Sequence, residues 1–293
     1  MRILISGSTG FIGSALTERL QSGGHNVVRL VRSPSIPGII WNPVKREIDS
    51  SRLEGFDAVV NLSGESINGR WTAKKKRAIL ESRIVTGEFL TELIGQMKQK
   101  PTAYISASAI GYYGNRGDEE LTELSAPGDD FLADVCIKWE AASKPMMNEG
   151  IRVVHIRNGL VLSPNGGALQ KLLTPFKLGL GGPVGSGKQW WSWVGLDDLV
   201  RAYEFVITNA NVSGAVNGVA PNTVRNKEFV KALGKALHRP VIFPLPSLAI
   251  KLGFGEMGES LLLGSQRVIP KVLMESGFEF THSYLERCLS SMV

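Results

Sequence analysis

Three glycines, Gly7, Gly10 and Gly13, stand three residues apart in "RILISGSTGFIG", directly after the first apolar run. Between a strand and a helix, such glycines hold phosphate. Gly7 lets the chain turn off the strand, Gly10 lets backbone approach a pyrophosphate, and Gly13 lets the helix pack closely on the sheet. The helix N-terminus then offers free N–H groups and partial positive charge. Ser8, Thr9, Phe11 and Ile12 complete that loop. A second set carries hydroxyls, a carboxyl and an ammonium. "SASAIGYYG" sets Ser108, Tyr112 and Tyr113 at a strand end, and "DVCIKWEAA" sets Lys138 on a helix, four residues after Asp134. A phenol or carboxyl near an ammonium is general acid–base chemistry. The Asp134–Lys138 spacing also reads as a plain helix salt bridge worth only about 0.2–0.5 kcal/mol.

The elements that must position these groups alternate. "RILIS", "NVVRLVR", "FDAVVNLSG", "TAYISAS" and "IRVVHIRNG" read as strands, nearly continuous in apolar residues. Between them lie helical patterns, a long one from about Thr72 to Lys98 and another near Phe131 to Asn148. Alternation of this kind predicts an α/β fold with a parallel sheet covered on both faces. Residues 1–162 read mainly as that nucleotide-binding domain. Residues 163–293 read mainly as a smaller C-terminal substrate lobe, interwoven with the first domain at about 195–220.

Composition narrows the function classes. The 43% hydrophobic and 20% charged content is that of a soluble globular protein. No run of about 18 uncharged apolar residues occurs, so neither a membrane span nor membrane contact is expected. The start reads as a strand, not a signal peptide, which implies a cytoplasmic protein with Cys136 and Cys288 reduced. Four scattered histidines form no metal-ligand spacing, so no metal site is expected. A net charge of +6 invites a nucleic-acid reading, but the one dense run, Lys74–Arg77, reads as a solvated helix face. "GPVGSGKQ" imitates a phosphate loop, yet Gln189 replaces the magnesium-ligating hydroxyl and "WWSW" follows where a helix should open.

The G-x-x-G-x-x-G spacing, "NLSGE" and "SASAIGYYG" together resemble the extended branch of the short-chain dehydrogenase/reductase superfamily. "KWEAA", "GLGGPVGSGKQWWSW" and "NGVAPN" extend the resemblance to its atypical epimerase-like members, which carry labels such as "epimerase family protein" or "cell division inhibitor". The resemblance implies a Rossmann doubly wound sheet and an NAD-type cofactor. It implies cofactor contacts from Leu62, Ser63 and Gly64, from Arg83, from Val161 and from Lys138, the superfamily's ribose-holding lysine. The chain departs from the pattern where Asp134 replaces the tyrosine of Tyr-x-x-x-Lys, leaving Ser108, Tyr112 or Tyr113 as proton donors. Cofactor choice follows from charge. No acid occurs from Asn26 until Glu47, and Arg32 ends the second strand, three residues after Arg29. A carboxylate there would hold a ribose 2′-hydroxyl, whereas guanidinium pairs with a 2′-phosphate. NADP is expected. Trp190, Trp191 and Trp193 are candidates to cover a pocket for a small-molecule substrate, with a homodimer left open. Three readings remain: an oxidoreductase, a sugar-nucleotide epimerase, and an NADP(H)-binding sensor without turnover.

Overall fold

The computed structural model describes residues 1–293. Its first part runs β1 (Arg2–Ser6), α1 (Phe11–Ser22), β2 (Asn26–Val31), β3 (Ile39–Asn42), β4 (Glu47–Ile48), β5 (Ala58–Asn61), α2 (Ala73–Gln96) and β6 (Ala103–Ala109). A short 3-10 turn, Ile110–Tyr113, precedes β7 (Glu120–Leu121), α3 (Phe131–Ala141), α4 (Lys144–Asn148) and β8 (Arg152–Asn158). There follow β9 (Leu160–Ser163), α5 (Gly167–Lys177), β10 (Trp190–Trp191), β11 (Trp193–Gly195), α6 (Leu196–Thr208) and β12 (Gly214–Gly218). The chain closes with β13 (Val224–Arg225), α7 (Asn226–Ala236), α8 (Ser247–Gly258), β14 (Arg267–Val268), α9 (Lys271–Glu275) and α10 (Leu285–Ser290).

The main sheet has the order β12-β8-β6-β5-β1-β2-β3-β4, parallel throughout except for β4. From β1 the chain builds outward through β2 and β3, then crosses to β5 and builds the other way. This is the doubly wound arrangement, and its strand order reverses beside β1, where such sheets bind ligands at their C-terminal ends. The two faces explain the apolar strands. On one, Leu16, Leu20, Tyr203 and Val206 of α1 and α6 bury the odd-numbered side of β1. On the other, Phe89, Leu90 and Leu93 of α2 cover Leu4 and Val59.

Long helices follow the expected bounds, with local corrections. Thr72 caps α2, its hydroxyl accepting from the Lys75 N–H at 3.2 Å. Such a cap is worth about 1 kcal/mol. The helix expected near Phe131–Asn148 breaks in two around Ser143, with Pro145 in the first turn of α4, where its missing N–H costs nothing. The hairpin β3–β4 escapes a reading of the sequence because "SPSIPGIIWNPVKREI" is dense in turn residues. Downstream, Trp191, Trp193, Phe176, Phe229 and Leu289 form a separate core cluster, while β12 joins the main sheet and α6 packs on it.

Candidate functional site

The glycine loop leaves β1 at the reversal point. Gly7 has φ +72°, and its carbonyl accepts from the Gly10 N–H at 3.0 Å, closing the turn. A Cβ on Gly7 would lie 2.6 Å from the Leu62 carbonyl, and one on Gly13 would lie 2.1 Å from the Gly7 oxygen. Both positions therefore require glycine for close packing. Gly10 begins α1 without a side-chain cap or an acid in the first turn, so the N–H groups there remain available to an anion. Thr9 and Gly10 are exposed, whereas the Ser8 hydroxyl is buried without a partner.

Neighbouring strand ends complete a cradle. Ser6 donates to Asn61 Oδ1 at 2.7 Å, and the Ser63 N–H donates to that same oxygen at 3.1 Å. These bonds hold Leu62–Gly64 beside the loop. Ile12, Leu62 and Val161 all pack on the core between α1 and the sheet. The lobe reaches this point too: a Cβ on Gly166 would lie 2.5 Å from the Phe11 ring. Arg32 is exposed just past β2, and its charge, after those of Lys75 and Arg83, helps hold the Glu65 carboxyl below its ordinary range. Arg83 donates to the Glu65 carbonyl at 3.0 Å and stacks on Trp139 at 4.8 Å, against Gly64. Burial pulls its pKa down. An open glycine turn, an uncapped helix and a strand end without acid fit a dinucleotide with an extra phosphate.

The proton-moving candidates fare unequally. Tyr113 is fully buried; its hydroxyl donates to Asn217 at 2.7 Å and accepts from Arg157 at 3.0 Å. Burial pushes its pKa up to about 12. The hydroxyl expected as a donor thus has both hydrogen-bonding directions engaged within the fold. Tyr112 is half-buried, with its ring face 3.4 Å from the Arg157 guanidinium carbon. Ser108 donates to Glu140 at 2.7 Å.

Lys138 turns to solvent, where it pairs with Asp134 at 2.8 Å; both side chains are about half exposed. The face of α3 that meets the sheet edge carries Leu132, Cys136 and Glu140, again at i, i+4 and i+8. Leu132 lies against Gly111, Cys136 points its thiol at the Ala109 carbonyl, and Glu140 binds Ser108. Residues 134 and 138 lie about 200° around the helix from 132 and 136, so they face away from that edge. The lysine expected to hold the cofactor is therefore part of a surface salt bridge. Burial pushes the Cys136 thiol up to about 12, with Glu140 adding to it and Arg83 opposing it.

Sequence reasoning passed over the strongest electrostatic feature. Arg157 at the end of β8 is held by Glu140 in two parallel bonds of 2.9 Å, with both side chains largely buried. Burial opposes its charge, yet the bonds to Glu140 and Tyr113 raise its pKa. The signal was present in "HIRNG", an arginine inside an otherwise apolar strand. The tryptophans divide: Trp191 and Trp193 belong to the lobe core, while Trp190 bonds Asp118 and lies under Arg225 and Arg267. In "GPVGSGKQ", Gln189 Nε2 donates to the Val184 and Leu262 carbonyls, fastening a structural loop.

Residues 3–217 match the NAD dependent epimerase/dehydratase family. The chain belongs to it. Residues 245–292 match a domain of unknown function. An epimerase family protein of Mycobacterium tuberculosis is 42% identical, covering 98% of this chain and 96% of its own. Human epimerase family protein SDR39U1 is 37% identical over the full length of both chains. The crystal structure of its isoform 2 with NADPH superposes with a TM-score of 0.93 at 36% identity, covering 100% of this chain and 99% of the human one. UDP-glucuronic acid 4-epimerase of Bacillus cereus shares the fold, with a TM-score of 0.78 at 18% identity over 100% and 98% of the chains. Family membership and the parallel sheet agree with the resemblance seen in the motifs.

Proposed function

We propose that this family member is an NADP(H)-dependent oxidoreductase that reduces a small carbonyl or sugar-type substrate. The observation that carries the cofactor reading is the acid-free end of β2, closed by exposed Arg32 over an uncapped glycine loop. Human SDR39U1, similar along its whole length, was crystallised with NADPH. Gly7–Gly13 hold the pyrophosphate, Arg32 the 2′-phosphate, Leu62–Gly64 and Arg83 the adjoining ribose, and Val161 the nicotinamide side. The cofactor supplies hydride.

Epimerisation asks more of the protein than reduction does. It needs a base that takes and returns a proton near neutral pH. The inward face of α3 offers only Leu132, a thiol pushed to about 12 and a carboxylate already bound by Arg157. One-way reduction needs a single proton donor. Tyr112, half-buried beside Arg157, is the hydroxyl best placed to give it, with Ser108 orienting the substrate oxygen.

Leu132 and Cys136 on that face also favour a second reading, an NADP(H) sensor without turnover. Purified protein mixed with NADPH and a panel of aldehydes, ketones and sugar nucleotides separates the two by loss of nicotinamide fluorescence. Reduction should be seen, and Tyr112→Phe should slow it by roughly 10²-fold while NADPH still binds. NADPH binding with no consumption against the whole panel establishes the sensor.

A further inference from the structure

The outer surface of the lobe carries apolar side chains that the fold does not use. Of seventeen exposed large apolar residues, eight fall in residues 178–180 and 242–254, so their placement is not random scatter. The two segments lie side by side. The Phe243 N–H donates to the Gly181 carbonyl at 3.2 Å, that of Leu245 to Pro183 at 2.8 Å, and Arg239 Nε to the Lys177 carbonyl at 2.9 Å. Leu252 is 75% exposed, Leu178 69%, Ile242 66% and Leu248 65%. Single exposed leucines are ordinary, but a contiguous apolar patch marks a contact surface.

Charge indicates what it contacts. Residues 165–196 and 229–255 contain Lys171, Lys177, Lys188, Lys231, Lys235, Arg239 and Lys251, and no aspartate or glutamate. All seven cations are exposed. The carboxylates that follow α8's kink at Gly255 are engaged, Glu256 by Lys76 and Glu259 by Lys251 at 2.6 Å. Lys251 is thereby paired, which leaves six unpaired exposed cations in these segments, and an apolar patch beside such cations is complementary to anionic lipid.

We propose that this face docks on the surface of an anionic bilayer, with the leucines and Phe243 entering the acyl boundary and the cations meeting lipid phosphates. No helix is long and apolar enough to cross a membrane, so the contact proposed is peripheral. A second copy fits worse, because two-fold pairing sets the same cations against each other. Beyond the patch, Met257 and Leu261 pack on Trp71 and Ile79.

Full-length protein is sedimented with vesicles of phosphatidylcholine, alone or mixed with phosphatidylglycerol, at low and high salt. Binding is expected only to the mixed vesicles, and salt should weaken it. Replacing Lys177, Lys235 and Arg239 by Gln should weaken it about fivefold per cation. The pair Leu248→Ser and Leu252→Ser should abolish it, with circular dichroism and NADPH affinity unchanged. Equal binding to both vesicle types, or to neither, overturns the proposal. So does a dimer in analytical ultracentrifugation that the serine pair dissociates while vesicle binding persists.

Discussion

Arg32→Ala tests the cofactor reading most directly. Arg32 is exposed just beyond β2 and its field reaches Glu65, which Lys75 already pairs at 2.6 Å. Removing it therefore leaves no buried group unsatisfied, and the fold should not change. Charge-assisted hydrogen bonds are worth about 1.5–3 kcal/mol, and exposed ion pairs about 0–1 kcal/mol. A guanidinium on a doubly charged phosphate at an exposed site falls between, at about 1–2 kcal/mol, or roughly five- to thirtyfold in Kd. NADH lacks the phosphate and should bind the variant as it binds the wild type. Calorimetric titration of both cofactors into both proteins reads the difference. Raising the salt should narrow the wild-type preference, because the pair lies where a Debye length of about 8 Å screens it. Equal wild-type affinity for NADPH and NADH refutes the reasoning, as does an equal loss for both on substitution.

Three further outcomes concern the network at the sheet edge. Glu140→Gln should destabilise the protein by about 3–5 kcal/mol in urea unfolding, because Arg157 would remain buried without its counter-charge; a loss below about 1 kcal/mol would mean that the pair is hydrated. Tyr113→Phe should cost about 1–3 kcal/mol by leaving Asn217 and Arg157 underbonded, and leave substrate selectivity alone; full stability with lost turnover would return Tyr113 to catalysis. Cys136 is raised from 9.0 and Tyr113 from 10.0, each to about 12, so above pH 9 the unfolded chain holds fewer protons than the native one. Stability should therefore be full below about 9 and fall as pH rises toward 12; a pH-independent urea midpoint across that window would contradict their burial.

What the sequence could reveal depended on how local the physics is. The glycine loop was readable because turn, close approach and helix start all act within Gly7–Gly13. The acid-free end of β2, with Arg32 exposed beyond it, was readable because it is a property of one strand end. The identity of the helix face on α3 was not. Asp134 and Lys138 keep the i, i+4 interval of a tyrosine–lysine pair, and so do Leu132 and Cys136. Spacing fixes which residues share a face without saying which face meets the sheet. That choice is made by contacts far apart in the chain, Glu140 with Arg157 and Ser108, and Leu132 with Gly111. The tryptophans show the same limit. Trp190 and Trp191 are neighbours in "WWSW", yet strand alternation sends Trp191 into the lobe core and leaves Trp190 between two arginines. The long-range ion pair ties α3 to β8, and the face it holds against the sheet edge lacks the superfamily's proton-transfer pair. The proton source proposed for hydride chemistry is therefore the segment at the end of β6, where Tyr112 lies beside Arg157, and not the inward face of α3.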